Sequence, residues 1–354
     1  MYILDRYLMK QIAGGILIST LVLIPLFSFL DLVDQLDDVG TGFYKTSDAF
    51  LYVLMTTPRR FIQISPFIAL LGNVTALGRL AMNHELISLR SAGYSPVQIS
   101  AASMKIGLIL ILVIGMLEVF VAPSLQQDAI SHRSAAMEQS AELGNNLGVW
   151  TRDDNQILRI GNLAHETSQA NVEILGLDNK GNLSEYIHAE GFEIVSNNEW
   201  ILHNVVHKTF SDETITSSTL ETMPWNSFLN DAQISTLTKP QESLSPMELF
   251  HYVQHLKATG QESDIYSLSL WKKLGGPIMM LGMLLISVPF VFGSVRTGFS
   301  TRLVMAGVTG IMVYILDQIF SNAGLILKLD PSFIALVPGI LLIWFARVWL
   351  HRVP

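Results

Sequence analysis

Several stretches of this chain run too long without a charge to remain in water. Between Lys10 and Asp31 lie 20 uncharged residues, between Arg60 and Arg79 lie 18, and between Lys273 and Arg296 lie 22. At about 1.5 Å per helical residue, 18 or more apolar residues cross a hydrocarbon core of roughly 30 Å. Taking charged residues as punctuation gives six spans, about 11–30, 61–79, 103–122, 274–295, 303–322 and 332–349. Composition agrees: 15% of residues are charged and the mean hydropathy is +0.40, whereas soluble domains carry about 25% charged residues. A soluble enzyme is excluded. The first span, preceded by Arg6 and Lys10, is too long for a signal-peptide core of about 7–15 residues and is read as an uncleaved anchor.

The charge is unevenly placed. Residues 122–271 hold 7 Lys and Arg against 20 Asp and Glu, while the rest of the chain carries a net charge of +5. An acidic polar insert therefore interrupts a mildly basic membrane protein, and neither part suits nucleic acid. Runs at 148–160, 172–177, 186–195, 200–210 and 214–222 are separated by turn clusters at 153–155, 178–181 and 196–198, which predicts a β sandwich or open barrel. A helix is expected over 245–259, with Ser245 as N-cap, Pro246 at its first position and Gly260 beyond its end. Lys and Arg beside the spans favour the side holding the N-terminus by nine to six, which places both termini in the cytoplasm and the insert outside. There is no sequence repeat between the halves. The absence of cysteine excludes disulfides and thiolate chemistry.

Four groups of residues invite a function. Between spans two and three, Asn83, Glu85 and Gly93 mark the cap, first turn and end of a short helix over 84–92, with Leu86, Ile87 and Leu89 available to a partner groove. Such a helix either presses on a partner or packs on its own bundle. Glu118 and Asp317 lie within spans, towards the outer leaflet, where they serve either as a proton relay or as carboxylates satisfied by water or by Lys272 and Lys273. Arg59, Arg60 and Arg133 lie at outer ends of spans, as ligands for anionic headgroups or as interfacial anchors; Asp31, Asp34, Asp37 and Asp38 oppose a strongly anionic ligand there. Glu248, His251 and His255 have helical spacing, but no metal site is expected. No GxxxxGK[ST] sequence occurs, so no catalytic residues are assigned and ATP hydrolysis would need a separate subunit.

Leu4-Asp5-Arg6-Tyr7, Leu32-Val33-Asp34-Gln35-Leu36, Glu85 to Gly93, Val121-Ala122-Pro123 and Tyr314 to Phe320 together resemble the lipopolysaccharide export permeases of the LptF/LptG (YjgP/YjgQ) family, with the LptG branch the nearer pattern. The resemblance implies a polytopic α-helical membrane protein with six transmembrane helices and an inserted periplasmic all-β domain, jellyroll-like and either closed or open. Residues 1–122 would hold spans one to three, 123–270 the periplasmic domain and 271–354 the remaining spans. It further implies an inner-membrane subunit of Gram-negative bacteria, paired with a homologous LptF, an LptB ATPase dimer and single-span LptC. That complex extracts lipopolysaccharide and passes it to a periplasmic bridge, with ATP and magnesium on the ATPase and no cofactor on this chain. By resemblance Glu85, with Leu86, Leu89 and Arg90 around it, engages the ATPase, and Arg59 and Arg133 meet the lipid's phosphates. One departure stands out: relatives carry lysines near the outer end of span one, where this chain has Asp31, Asp37 and Asp38.

Three rival readings follow from the residues. A lipoprotein-release permease has four spans rather than six. A scaffold with a periplasmic sensor domain needs no ATPase. A proton-coupled secondary transporter makes Glu118 or Asp317 essential.

Overall fold

The computed structural model describes residues 2–137, 149–153, 155–161, 171–178, 181–196, 199–210, 214–228, 243–258, 262–292 and 298–352. Six helices are long and apolar enough to span a membrane. They are α1 (Tyr2–Leu36), α2 (Thr46–Met82), the helix made by α4 (Pro96–Met116), a π turn (Leu117–Val121) and α5 (Ala122–Met137), then α7 (Asp264–Phe292), α8 (Phe299–Ile326) and α9 (Pro331–Arg352). Two shorter helices are α3 (Glu85–Ser91) and α6 (Pro246–Ala258). Five of the six spanning helices outrun their expected spans at both ends and α7 does so at its start, because hydropathy marks where a helix leaves lipid and not where its hydrogen bonds stop. Thus the third span continues to Met137, past the boundary expected at 122, and α7 begins at Asp264 rather than 271. Residues 293–297, where the fourth span was expected to end, lie outside the described residues.

The chain divides into two compact units. The first comprises the chain through Asp37, Ala49–Gln126 and everything from Asp264; the second comprises Asp38–Asp48 and Gln127–Ser263. In the first, glycines bring helix backbones together. A Cβ on Gly72 would stand 2.6 Å from the Cα of Ile16, so α1 and α2 cross with no room for a side chain there. Gly275 and Gly339 do the same between α7 and α9. Pro66 cannot donate to the carbonyl of Ile62, and the Ser65 hydroxyl takes that carbonyl at 2.8 Å, which keeps α2 intact.

The second unit is built on one antiparallel sheet in sequential order: β1 (Val149–Asp153), β2 (Gln156–Ile160), β3 (Val172–Leu177), β4 (Leu183–Ser196), β5 (Glu199–Phe210) and β6 (Ile215–Asn226). Among the described residues, each of the edge strands β1 and β6 pairs on one side only, so the sheet is open. Alternation puts Leu158, Ile174, Ile187 and Leu202 on one face, and an irregularity at Asn204, φ 51, resets the phase of β5 so that Val205 joins them; there Phe192 stacks on Trp200 with ring centres 4.5 Å apart. The β3–β4 connection closes through Gly181 at φ +83 and Asp178, whose carboxylate accepts from the Asn182 amide at 2.8 Å. Asp154, Asn179, Lys180, Asn197 and Asn198, the centres of the expected turns, lie outside the described residues. The loop 38–48 belongs to this unit. Its Phe43 amide donates to the Ala136 carbonyl at 2.8 Å, capping the end of α5, and a Cβ on Gly42 would collide with that same helix end. The helix α6 carries the expected cap: Ser245 and Glu248 exchange side-chain-to-backbone bonds of 2.8 and 3.2 Å. Gly260 lies outside the described residues.

Candidate functional site

Consecutive residues on a helix point about 100° apart, and this separates two neighbouring basic pairs in the N-terminal halves of α2 and α7. Arg59 and Lys273 turn inward onto one carboxylate. Arg59 Nη1 donates to Glu118 Oε1 at 2.7 Å, and Lys273 Nζ donates to the same oxygen. Glu118 sits in the π turn, where the widened helix holds its side chain buried; the Glu118 and Lys273 side chains are 8% and 7% exposed. Unpaired, each of these charges would be strongly disfavoured at such depth; together they satisfy one another.

Arg60 and Lys272 turn the other way. Arg60 forks onto Asp31 of α1, with Nε donating to Oδ2 at 2.7 Å and Nη2 to Oδ1, while Nη1 donates to Gln63 at 3.2 Å. Lys272 Nζ stands 3.8 Å from Asp317 Oδ2 on α8. Glu118 and Asp317 are therefore both paired with lysines of α7, as the sequence allowed. In the second unit, Arg133 donates to Asp38 at 2.6 Å. Asp31 thus answers Arg60, and Asp38 answers Arg133. The Arg60–Asp31 and Arg133–Asp38 pairs are partly exposed, whereas Arg59 is 16% exposed. Of the three arginines expected to meet headgroups, Arg59 is committed to the interior.

At the other end of α2 lies α3. Gly93 at φ +91 closes it, with the Tyr94 amide donating to Leu89 O at 3.1 Å and the Gly93 amide to Arg90 O at 2.9 Å. Ser95 and Gln98 then form a reciprocal cap on α4. The start differs from expectation. Asn83 does not cap the helix: His84 occupies the cap position at φ 59 without a side-chain bond, and the Asn83 amide donates to Glu85 at 3.3 Å. Glu85 also accepts from the Tyr7 hydroxyl at 2.6 Å, and Asp5 of the same helix pairs with Lys105 of α4. Leu86 is a correction: at 3% exposed it belongs to the bundle's own core, and Leu89 packs against that core. Ile87 is the exposed apolar residue of α3, and Arg90 lies over the Phe292 ring, 5.9 Å from its centre.

Sequence reasoning missed a fully buried polar knot. Asn73 Nδ2 donates to Ser287 Oγ at 2.6 Å and to Leu284 O at 3.1 Å, and Asn73 Oδ1 accepts from Ser103 Oγ at 3.1 Å. The signal was present, since a carboxamide amid 18 uncharged residues must find partners in hydrocarbon. The histidines assemble nothing comparable. Glu248 is engaged in its helix cap and His207 bonds Glu185 at 2.7 Å; among the described residues no three His, Asp or Glu side chains stand close enough to hold a metal.

A family model described as lipopolysaccharide export system permease LptF/LptG matches residues 6–352. The lipopolysaccharide export system permease protein LptG of Haemophilus influenzae is 29% identical over 349 residues, covering 98% of this chain and 97% of that protein. LptG of Escherichia coli K12 is 28% identical over 340 residues, covering 95% and 94%.

Proposed function

Since the chain belongs to the LptF/LptG family of lipopolysaccharide export permeases, we propose that it is the permease subunit of an ABC transporter that lifts lipopolysaccharide from the outer leaflet of the inner membrane and hands it to a periplasmic bridge. A homologous LptF, an LptB dimer carrying ATP and magnesium, and LptC complete the complex. The termini and α3 face the cytoplasm, the sheet unit faces the periplasm, and the apolar face of the open sheet receives the acyl chains. That face matters because each CH₂ exposed to water costs about 0.8 kcal/mol.

The observation that carries this reading is the segregation of the basic residues into two classes. Arg59 is buried on Glu118, but Arg60 and Arg133 form partly exposed pairs. Exposed ion pairs contribute only about 0–1 kcal/mol, so a phosphate that binds guanidinium bidentately can take the place of the aspartate. Arg60 and Arg133 are thus the headgroup ligands, and Asp31 and Asp38 hold them in place until lipid arrives. Glu85, Ile87 and Arg90 form the surface offered to the ATPase.

The test is ATP-dependent lipopolysaccharide release by the purified complex in proteoliposomes. Arg60→Gln should lower release about tenfold, the loss of one charge-assisted bond, with ATP hydrolysis retained. Glu85→Ala should lower release and lipid-stimulated hydrolysis together. Normal release by both variants overturns the assignment, as does purification of the chain in mild detergent without any ATPase.

A further inference from the structure

We propose that α2, α4 and α7 act as one rigid frame within the membrane unit, and that Asn73 is the positioning residue that keeps it rigid. The same three helices are tied twice. Near one end, Arg59 of α2 and Lys273 of α7 meet on Glu118, in the π turn that continues α4. Deeper in, Asn73 of α2 joins Ser103 of α4 to Ser287 and Leu284 of α7. The two ties are separated by 14 residues on α2, 15 on the α4 helix and 14 on α7, about 21 Å on each at 1.5 Å per residue.

The equality of those separations is what makes a frame. Helices joined at one level can pivot about the joint, and helices packed only by apolar side chains can slide, since lipid competes for every such contact. Joined at two levels about 21 Å apart, they cannot tilt or slide past one another without stripping a buried polar group of its partner, at about 1–3 kcal/mol for a neutral group and more for an ion. Among the described residues, the side chains bonded to Asn73 come from α4 and α7 and none from α1, α8 or α9. The frame continues into α3, which links α2 to α4 and whose exit is fixed by the Gly93 turn and the Ser95 cap. A displacement applied to α3 therefore reaches the Glu118 level undiminished, with motion taken up elsewhere in the bundle. This deepens the proposed function by naming what carries the stroke.

The chain lacks cysteine, so spin labels can be placed at will. With the full chain in its complex, labels at Met82, where α2 ends, and Val119, both outward-facing, report the length of the frame. The expected result is one narrow distance distribution, the same without nucleotide and with ADP-vanadate trapped. Asn73→Leu should broaden it and raise the ATP hydrolysed per lipid released at least about fivefold, the lower range of coupling between sites. A distance that shifts on trapping, or an Asn73→Leu distribution as narrow as wild type, overturns the frame. If Asn73→Leu yields no protein, Ser103→Ala/Ser287→Ala removes two of the three hydrogen bonds without adding volume and carries the same expectation; an unbroadened distribution there overturns it equally. Because the distances are read without transport, loss of the lipopolysaccharide reading would leave the frame standing, and the reverse.

Discussion

The membrane unit and the sheet unit solve opposite problems with one alphabet. In the sheet, Leu158, Ile174, Phe192 and Trp200 are buried, while Arg159 and Glu173 pair on the other face at 2.9 Å. In the membrane unit, Leu17, Leu21, Leu112, Phe120, Ile315 and Ile319 point outward, and the interior admits Asn73, Ser103, Ser287 and an ionised triad. Water drives apolar groups together in the first case. In lipid that drive vanishes, and cohesion passes to close backbone approach and to polar groups that have nowhere else to bond. The contrast teaches that the same residue type has opposite weight in the two units.

Substitutions can break or sharpen that contrast, and apparent melting temperature in one detergent, followed through tryptophan fluorescence, ranks them. The largest effect is expected from Glu118→Leu, which removes the buried carboxylate that Arg59 and Lys273 share and should destabilise the membrane unit by about 3–5 kcal/mol. Lys273→Met together with Glu118→Leu should recover part of that loss, because one buried charge fewer then remains. Next comes Ile174→Ala in the sheet, where loss of buried volume should cost about 2–4 kcal/mol. The chemically identical change on the outward face of α8, Ile315→Ala, should cost less than about 1 kcal/mol, since lipid fills the gap. Equal costs for the two isoleucines would remove the contrast. Smallest of all is Asp31→Asn, which weakens a partly exposed pair by about 1 kcal/mol. It should barely move the melting temperature while changing lipopolysaccharide release, because Arg60 is freed.

The six spans were legible because uncharged runs of 18 to 22 residues have one physical solution. Gly93 and Ser95-Pro96 were legible for a similar reason: their backbone roles are nearly exclusive to those residue types. What escaped was direction around the helix. Leu86, Ile87 and Leu89 read alike in sequence, yet Leu86 enters the core and Ile87 leaves it. Arg59 and Arg60 look like duplicates, yet one is interior and the other a third exposed. Asn83 looked like a cap because its competing bond to Glu85 depends on how α2 ends. The order of the strands was hidden too, since alternation fixes which face a strand buries and says nothing of its neighbour.

The π turn at Leu117–Val121 has a consequence of its own. One surplus residue in a helix advances the angular phase of everything after it by about 100°. Upstream and downstream stretches of this long helix thereby keep separate compass bearings, Glu118 locked towards its two cations and Ala122 and Ala129 buried beyond it. Excising a single residue such as Val119 would leave the helix helical yet swing all sixteen positions of Ala122–Met137 onto a new bearing. The one irregular turn is thus an indexing step, and its length, more than its composition, is what the fold cannot alter.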